Sequence, residues 1–134
     1  MRNYLLDSHT LLWSIFESRQ LPPLVKQIIQ NPAQNIMVSA VSLWEISLKY
    51  RLGKLHLEGY NPSELIETCH QMRYRLLPLL PEDACTYHQI GSNFHKDPFD
   101  RMLIHQAIQH KLVLLSKDPE VHLYTIEGLV VLWK

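Results

Sequence analysis

The sequence predicts an α/β fold, a three-layer α/β/α sandwich in which helices cover both faces of a central, mostly parallel sheet. Short apolar runs such as "LVLLS" alternate along the chain with helix-length amphipathic segments, a pattern that is typical of βαβ units. The apolar runs are continuous, as expected for strands that are buried on both faces. With 134 residues, the chain fits one domain (1–134) and can bury a sizeable core.

The first half of the chain predicts two strands and their connecting helices. "NYLLD" (3–7) indicates a buried strand, and the amphipathic "SHTLLWSIF" after it indicates a helix. Prolines in "LPP" interrupt the pattern before a helix through "LVKQIIQ" and a strand at 35–39. Residues 40–53 predict a longer helix that Gly53 terminates. Another helix is expected over 63–75.

The second half continues the alternation. "LLPLL" (76–80) predicts a short strand, and a helix is expected to start at Pro81. In "DPFDRMLIHQA", Pro98 suits a first helical position, because it has no N–H to lose and its φ angle is preset. "LVLLS" (112–116) predicts a strand, a helical turn follows from Asp118, and residues 128–133 predict the last strand.

Composition limits the classes of function. Thirteen basic residues balance thirteen acidic ones, so contact with nucleic acid would depend on a local basic patch. Cys69 and Cys85 lack metal-ligand spacing and read as reduced thiols. We expect a cytoplasmic protein, since the sequence shows neither a signal peptide nor a membrane span.

Two predicted strands end in aspartate, and this is where parallel sheets bind ligands. Asp7 closes the first strand and Asp118 lies just beyond the strand at 112–116. Each could instead be a helix N-cap, and Pro119 after Asp118 suits that alternative equally well.

Two further carboxylates lie on predicted apolar helix faces. Glu45 lies beside Trp44 in a stripe that we assign to Val41, Trp44, Leu48 and Leu52, and Asp100 heads a face that continues through Leu103 and Ile104. Burying an unpaired carboxylate costs several kcal/mol, so both need a cation, hydrogen bonds or a proton. Lys49 could pair with Glu45 at the i+4 position, whereas Arg101 directly follows Asp100 and faces elsewhere on the helix.

If these four carboxylates converge at the edge of the sheet, their repulsion requires a counter-ion. An all-oxygen site suits Mg²⁺ or Mn²⁺ better than zinc. Such an ion can activate water for hydrolysis of a phosphodiester.

The motifs around the acids resemble those of a known family. "LLDSHTLLW", "VSAVSLWEISLK", "HKDPFDRMLIHQA" and "LLSKDPEV" are similar, in order and over nearly the whole chain, to the acidic motifs of PIN-domain ribonucleases, above all VapC toxins. The resemblance implies metal-dependent cleavage of RNA, a small VapB-like antitoxin as partner, and a homodimer. By position it assigns metal binding and catalysis to Asp7, Glu45, Asp100 and Asp118. It gives supporting roles to Asp97, Ser116 and Ser8, of which Asp97 would cap a helix or support the acids.

The chain also offers surfaces for these partners. Two basic groups with interleaved tyrosines could hold RNA, although either could be a solvated helix end. Trp13 and Phe16, on the helix after Asp7, could form a groove for a helical antitoxin segment. The candidates for RNA binding are Lys49, Arg51, Lys54, Arg73, Arg75 and Arg101.

Other chemistries fit less well. The histidines lack zinc spacing, and His95 and His105 read as a helix-flanking and a helix-surface residue. Four glycines are too few for a phosphate-binding loop, and Ser42 lacks the context of a serine hydrolase. A non-catalytic α/β module that binds a protein partner remains the alternative function.

Overall fold

The computed structural model describes residues 2–134, which form one sheet of five parallel strands with helices on both faces. This confirms the predicted fold class. The strands are β1 (Asn3–Leu6), β2 (Asn35–Ser39), β3 (Arg75–Leu77), β4 (Val113–Leu115) and β5 (Val130–Leu132). The helices are α1 (Ser8–Phe16), α2 (Pro23–Gln30), α3 (Ala40–Arg51), α4 (Leu65–Gln71), α5 (Pro81–Cys85), α6 (Pro98–Gln109) and α7 (Pro119–His122), with short 3₁₀ turns between several of them.

The strand order is β3-β2-β1-β4-β5, and the side of the sheet on which the chain adds strands changes at β1. The chain first moves outward from β1 to β3, and then adds β4 and β5 on the other side of β1. Leu6 at the end of β1 is in register with Leu115 at the end of β4. Connections leave these two strands toward opposite sides, so a crevice opens beyond their carboxyl ends, which is where such sheets bind ligands.

Two hydrophobic cores lie on opposite faces of the sheet. Because side chains alternate along a strand, Tyr4 and Leu6 belong to the core that packs α1, α2 and α4, whereas Leu5 belongs to the core that packs α6 and α7. Helix α3 contributes to both, Val41 to one core and Ile46 to the other. Its residues between these two therefore lie close to where the two cores meet.

The buried face of α3 differs from the predicted one. Trp44 and Leu52 are 59% and 57% exposed, so the proposed apolar stripe was wrong. Val41, Ser42, Glu45 and Ile46 form the buried face instead. Trp44 packs edge-on against Phe99 of α6, which gives it a partner although it remains largely exposed. Glu45 is nevertheless buried, as predicted.

Several helices are shorter than the sequence suggested. Helix α3 ends at Arg51, two residues before Gly53, which takes a left-handed conformation with φ of 72°. The helix expected over 63–75 ends at Gln71, because Arg73 at φ 62° turns the chain into β3. Proline 81 does start a helix, but that helix ends at Cys85. Within residues 2–134, no helix has the length and apolarity needed to cross a bilayer.

Candidate metal centre

A cleft of about 480 Å³ opens beyond the carboxyl ends of β1 and β4. Side chains from the β1–α1 junction, α3, the start of α6 and the β4–α7 junction meet there, including the four predicted metal-binding acids. Asp97 is a fifth carboxylate in the same cleft. The lining residues are Asp7, Ser8, His9, Trp13, Glu45, Lys49, Asp97, Asp100, Lys117, Asp118 and Pro119.

Three of the aspartates are helix N-caps as well as cleft residues. Asp7 accepts a hydrogen bond from the Thr10 N–H, Asp97 from the Asp100 N–H, and Asp118 from the Glu120 N–H. In each case the accepting atom is Oδ1, so Oδ2 lies outside the cap. The capping and metal-binding interpretations are therefore compatible, because each cap fixes the carboxylate while one oxygen stays available.

Glu45 has two partners in the cleft. Its Oε1 accepts a hydrogen bond of 2.5 Å from Ser8 Oγ, and its Oε2 lies 2.6 Å from Lys49 Nζ. This ion pair with Lys49 is the pairing that the i+4 spacing predicted as an alternative to a metal ion for Glu45. Burial alone would lower the pKa of Lys49, but Glu45, Asp97 and Asp100 together raise it above its usual value. Lys49 is thus a positive charge held by ion pairing at the edge of a cleft whose acids outnumber its lysines.

Asp100 experiences the combined charge of the cluster. Burial, and then the carboxylates of Asp97, Glu45, Asp7 and Asp118 in that order, raise its pKa from the usual 3.8 to about 7. The pKa of Asp7 is also raised, because its burial outweighs the hydrogen bonds from Ser116 and Thr10. Carboxylates affect one another this strongly only when they are close together and poorly solvated.

Ser116 connects the two acids that follow neighbouring strands. It is fully buried after β4, and its Oγ accepts a hydrogen bond of 3.2 Å from the Asp118 N–H. It also bonds with the Asp7 carboxylate, which lowers the pKa of that group. Ser116 therefore links the acids that follow β1 and β4, while Ser8 orients Glu45.

Among residues 2–134, two sets of ligand atoms are close enough to hold a metal ion, and both include Asp100. Carboxylate oxygens of Glu45, Asp97 and Asp100 lie within 4.8 Å of one another, and so do ligand atoms of His95, Asp100 and Asp118. Oxygen donors with this spacing suit a hard divalent cation. A cation would also relieve the repulsion that raises the pKa of Asp100, so the residues fit the predicted Mg²⁺ or Mn²⁺.

His95 lies next to the acids of the cleft, although the sequence analysis gave it only a helix-flanking position. Its side chain is only 8% exposed, and its Nε2 lies 3.5 Å from Asp100 Oδ2. The signal in the sequence was its position two residues before Asp97, inside an acidic motif. His105, expected on a helix surface, is instead buried with Nε2 2.7 Å from Thr86 Oγ1, so that prediction was wrong.

The predicted RNA contacts divide into exposed and buried residues. Arg51 ends α3 and Lys54 lies just beyond it, and both are exposed; Arg73 and Arg75 are exposed just before and at the start of β3. Tyr74 is buried with its hydroxyl donating to Ser14 Oγ, so it cannot stack on a base.

Arg101 also differs from its predicted role as an RNA contact. It is 7% exposed, and its guanidinium donates to the hydroxyls of Tyr87 and Tyr124 and to the carbonyls of Ser92 and Ile90. With its donors used inside the protein, we withdraw Arg101 from the RNA-binding candidates.

Comparison with known proteins confirms the resemblance that the motifs indicate. The profile of the PIN domain matches residues 4–126, so the chain belongs to the PIN domain family. Ribonuclease VapC22 of Mycobacterium tuberculosis is 28% identical over 133 residues, which cover 99% of this chain and 100% of that protein.

Solved structures share the fold at lower identity. A chain of VapBC2 from Rickettsia felis, bound to a promoter DNA fragment, superposes with a TM-score of 0.69 at 16% identity and covers 98% of this chain and 99% of its own. DNA-bound VapBC from Salmonella typhimurium gives a TM-score of 0.68 at 18% identity, with 98% of each chain covered. At these identities the likeness shows the fold alone.

The raised pKa of Asp100 predicts how stability depends on pH without metal. Between its usual pKa of 3.8 and about 7, the folded protein keeps a proton that the unfolded chain has lost. Stability from this group is thus complete below the lower value and is lost as pH rises through the upper one, by up to about 1.4 kcal/mol per pH unit. Urea unfolding in EDTA at several values between pH 4 and pH 8 should show this decline. Asp100→Asn should flatten it, and equal slopes in the two proteins would disprove the explanation.

Proposed function

We propose that this chain is a metal-dependent endoribonuclease that hydrolyses RNA phosphodiester bonds. The observation that carries the proposal is the convergence of five carboxylates in the crevice between β1 and β4 of a PIN-domain fold. Asp7, Glu45, Asp100 and Asp118 are the proposed metal-binding acids, and Asp97 lies within ligand distance of two of them. Similarity to a ribonuclease over almost the whole chain supports the same reaction class.

The side chains of the cleft would divide the work between binding and orientation. When bound, Mg²⁺ or Mn²⁺ lowers the pKa of a water molecule and stabilises charge on the phosphate. The acids would hold the ion in place, with Ser8 orienting Glu45 and Ser116 connecting Asp7 to Asp118. Lys49, 40% exposed at the edge of the cleft, could attract the RNA phosphate as it approaches the acids.

The RNA would approach along the end of α3. Arg51 and Lys54 are exposed after Glu45 and Lys49 on the chain, and Lys54 lines a smaller depression that also includes Glu45 and Lys49. Tyr50, at 39% exposure, offers an aromatic face for base stacking. Arg73 and Arg75 belong to the start of the outermost strand and do not line the acidic cleft, so we consider them weaker candidates.

A non-catalytic binding module is the alternative. Such a module has no use for several partly buried carboxylates that raise the pKa of Asp100 to about 7, because their repulsion lowers stability without any gain in binding. A thermal-shift measurement separates the two: the nuclease should be stabilised by Mn²⁺, since a ligand that binds only the folded state raises its stability.

A small VapB-like antitoxin is the proposed partner, and a ribonuclease acting on cellular RNA would require such control in the cytoplasm. The apolar part of the cleft edge supports this proposal. Trp13 lines the cleft, and Phe16 on the same helix is 44% exposed and packs edge-on against Tyr60. A helical segment could cover these rings while its basic side chain enters among the carboxylates. The homodimer that the resemblance implies belongs to the same proposal.

Loss of a metal-binding carboxylate should abolish cleavage. Since supporting partners of metal ligands contribute about 10–100-fold to affinity or activity, Asp7→Asn, Glu45→Gln and Asp100→Asn should each reduce RNA cleavage by at least about 100-fold in Mg²⁺. Glu67→Gln, at an exposed position of α4, is the matched control for Glu45→Gln and should cut normally. Cleavage is measured on total RNA with mapped product ends. Full activity in any of the three site variants would contradict the proposal.

Charge reversal after α3 should weaken RNA binding. Arg51→Glu with Lys54→Glu removes two cations from the proposed RNA path, so affinity should fall and its dependence on salt should flatten, because fewer counterions are released. Binding to a catalytically inactive Asp7→Asn background is followed by fluorescence anisotropy at several salt concentrations. Arg73→Glu with Arg75→Glu is the matched control, and a larger loss in that pair would mean that the RNA crosses the β3 edge instead.

Co-expression with the proposed VapB-like antitoxin should suppress cleavage and yield a stable complex. The proposed partner side chain competes with the metal for the same negative charge, so high Mn²⁺ should partly restore activity. Phe16→Ala, which removes an exposed ring, should weaken the complex without reducing cleavage by the free protein. A complex that cuts RNA at the full rate would show that the partner binds elsewhere.

A further inference from the structure

We propose that His95 is a nitrogen ligand for a divalent ion that binds together with Asp100 and Asp118. This position is separate from the all-oxygen set of Glu45, Asp97 and Asp100, although the two sets share Asp100. The inference rests on the proposed metal-dependent function and adds to it a second kind of ligand, a histidine nitrogen beside the carboxylates.

The first observation is a buried nitrogen without a partner. His95 Nε2 has almost no contact with solvent and makes no hydrogen bond to any described residue, and its side chain is 8% exposed. Asp100 Oδ2, 3.5 Å away, is within ion-pair range but does not meet hydrogen-bond geometry. A buried polar atom without a partner costs about 1–3 kcal/mol. A metal ion between His95 and the two aspartates would satisfy it.

The second observation is the contact on the other side of the ring. His95 Nδ1 lies 2.9 Å from the Tyr124 hydroxyl. Histidines that bind metal through one nitrogen usually donate a hydrogen bond from the other, which fixes the ring. If Nδ1 carries the proton and donates to Tyr124, the lone pair of Nε2 points free toward Asp100 and Asp118.

The surroundings of Tyr124 allow this tautomer. Its hydroxyl accepts a hydrogen bond of 2.9 Å from Arg101, and it lies 3.5 Å from both the backbone N–H and the carbonyl oxygen of His95. When the phenol donates its own proton to that carbonyl, its oxygen can accept from Arg101 and from Nδ1, which at 2.9 Å is the shortest of its contacts with His95. Tyr124 is fully buried, and packing therefore holds the imidazole in place before any ion binds.

The two ligand sets differ in the ions that they favour. Carboxylate oxygens suit Mg²⁺. An imidazole nitrogen binds zinc, nickel or copper more strongly than Mn²⁺, but it binds Mn²⁺ more strongly than Mg²⁺. The His95 position should therefore discriminate against Mg²⁺, while the Glu45 position accepts it. Asp100 is common to both sets, so it would serve as a ligand at either position.

The test uses the full-length chain loaded with Mn²⁺ and pulsed electron paramagnetic resonance, which detects a nitrogen nucleus bonded to the ion. We expect a ¹⁴N signal in the unmodified protein, and the corresponding ¹⁵N signal after labelling with ¹⁵N-histidine. His95→Gln should remove the signal and weaken Mn²⁺ affinity by about tenfold or more, with a smaller effect on Mg²⁺.

His9→Gln is the matched control, because His9 is the exposed histidine that also lines the cleft. It should keep the nitrogen signal, and this result excludes His9 as the source of that signal. Loss of the signal in His9→Gln would overturn the assignment.

The outcomes separate this inference from the proposed function. Bound Mn²⁺ without nitrogen coupling, in a protein that still cuts RNA, would overturn the role of His95 and leave the ribonuclease intact. Nitrogen coupling in a protein that cuts no RNA would support His95 and contradict the ribonuclease. Failure to bind Mn²⁺ at all would overturn both.

Discussion

Repulsion among the carboxylates beyond β1 and β4 is the constraint on which the rest of this structure depends. Five acids share a cleft with one lysine in ion-pair contact, and the pKa of Asp100 rises to about 7 as a result. A fold keeps such a group together only if other interactions fix each member. Here helix caps hold three aspartates, and Ser8 and Lys49 hold Glu45. A bound cation would relieve this repulsion and so raise the stability of the folded chain.

The topology of the sheet explains why these acids meet. Asp7 and Asp118 are separated by 111 positions in the numbering, but they follow neighbouring parallel strands, whose carboxyl ends lie at one edge. Helix α3 contacts both α1 and α6 and contributes to both cores, so Glu45 reaches the same edge from a different layer. Capping then completes the site, because the N-terminus of a helix binds a carboxylate favourably through its free N–H groups.

Local patterns were sufficient to predict what depends on neighbouring residues in the chain. Continuous apolar runs predicted all five strands, and acids at strand ends predicted where Asp7 and Asp118 would lie. Glu45 was predicted to be buried from a stripe of which Trp44, Leu48 and Leu52 are in fact exposed, because periodicity cannot distinguish a helix that packs on two layers from one that packs on a single layer. The surroundings of Tyr74, Arg101 and His95 could not be predicted, because their partners are distant in sequence. Tyr74 contacts Ser14, Arg101 contacts Tyr87 and Tyr124, and His95 contacts Tyr124.

The buried side chain of Arg101 helps to position groups beside the cleft. Asp100 and Arg101 are adjacent on the first turn of α6, so their side chains diverge: Asp100 faces the cleft and Arg101 reaches the Tyr124 hydroxyl. That hydroxyl contacts the His95 ring, whose other nitrogen faces Asp100. One helical turn thus supplies a proposed oxygen ligand directly and, through Arg101 and Tyr124, fixes the neighbouring nitrogen. The buried arginine therefore helps to shape the cleft from inside the core, without contacting RNA.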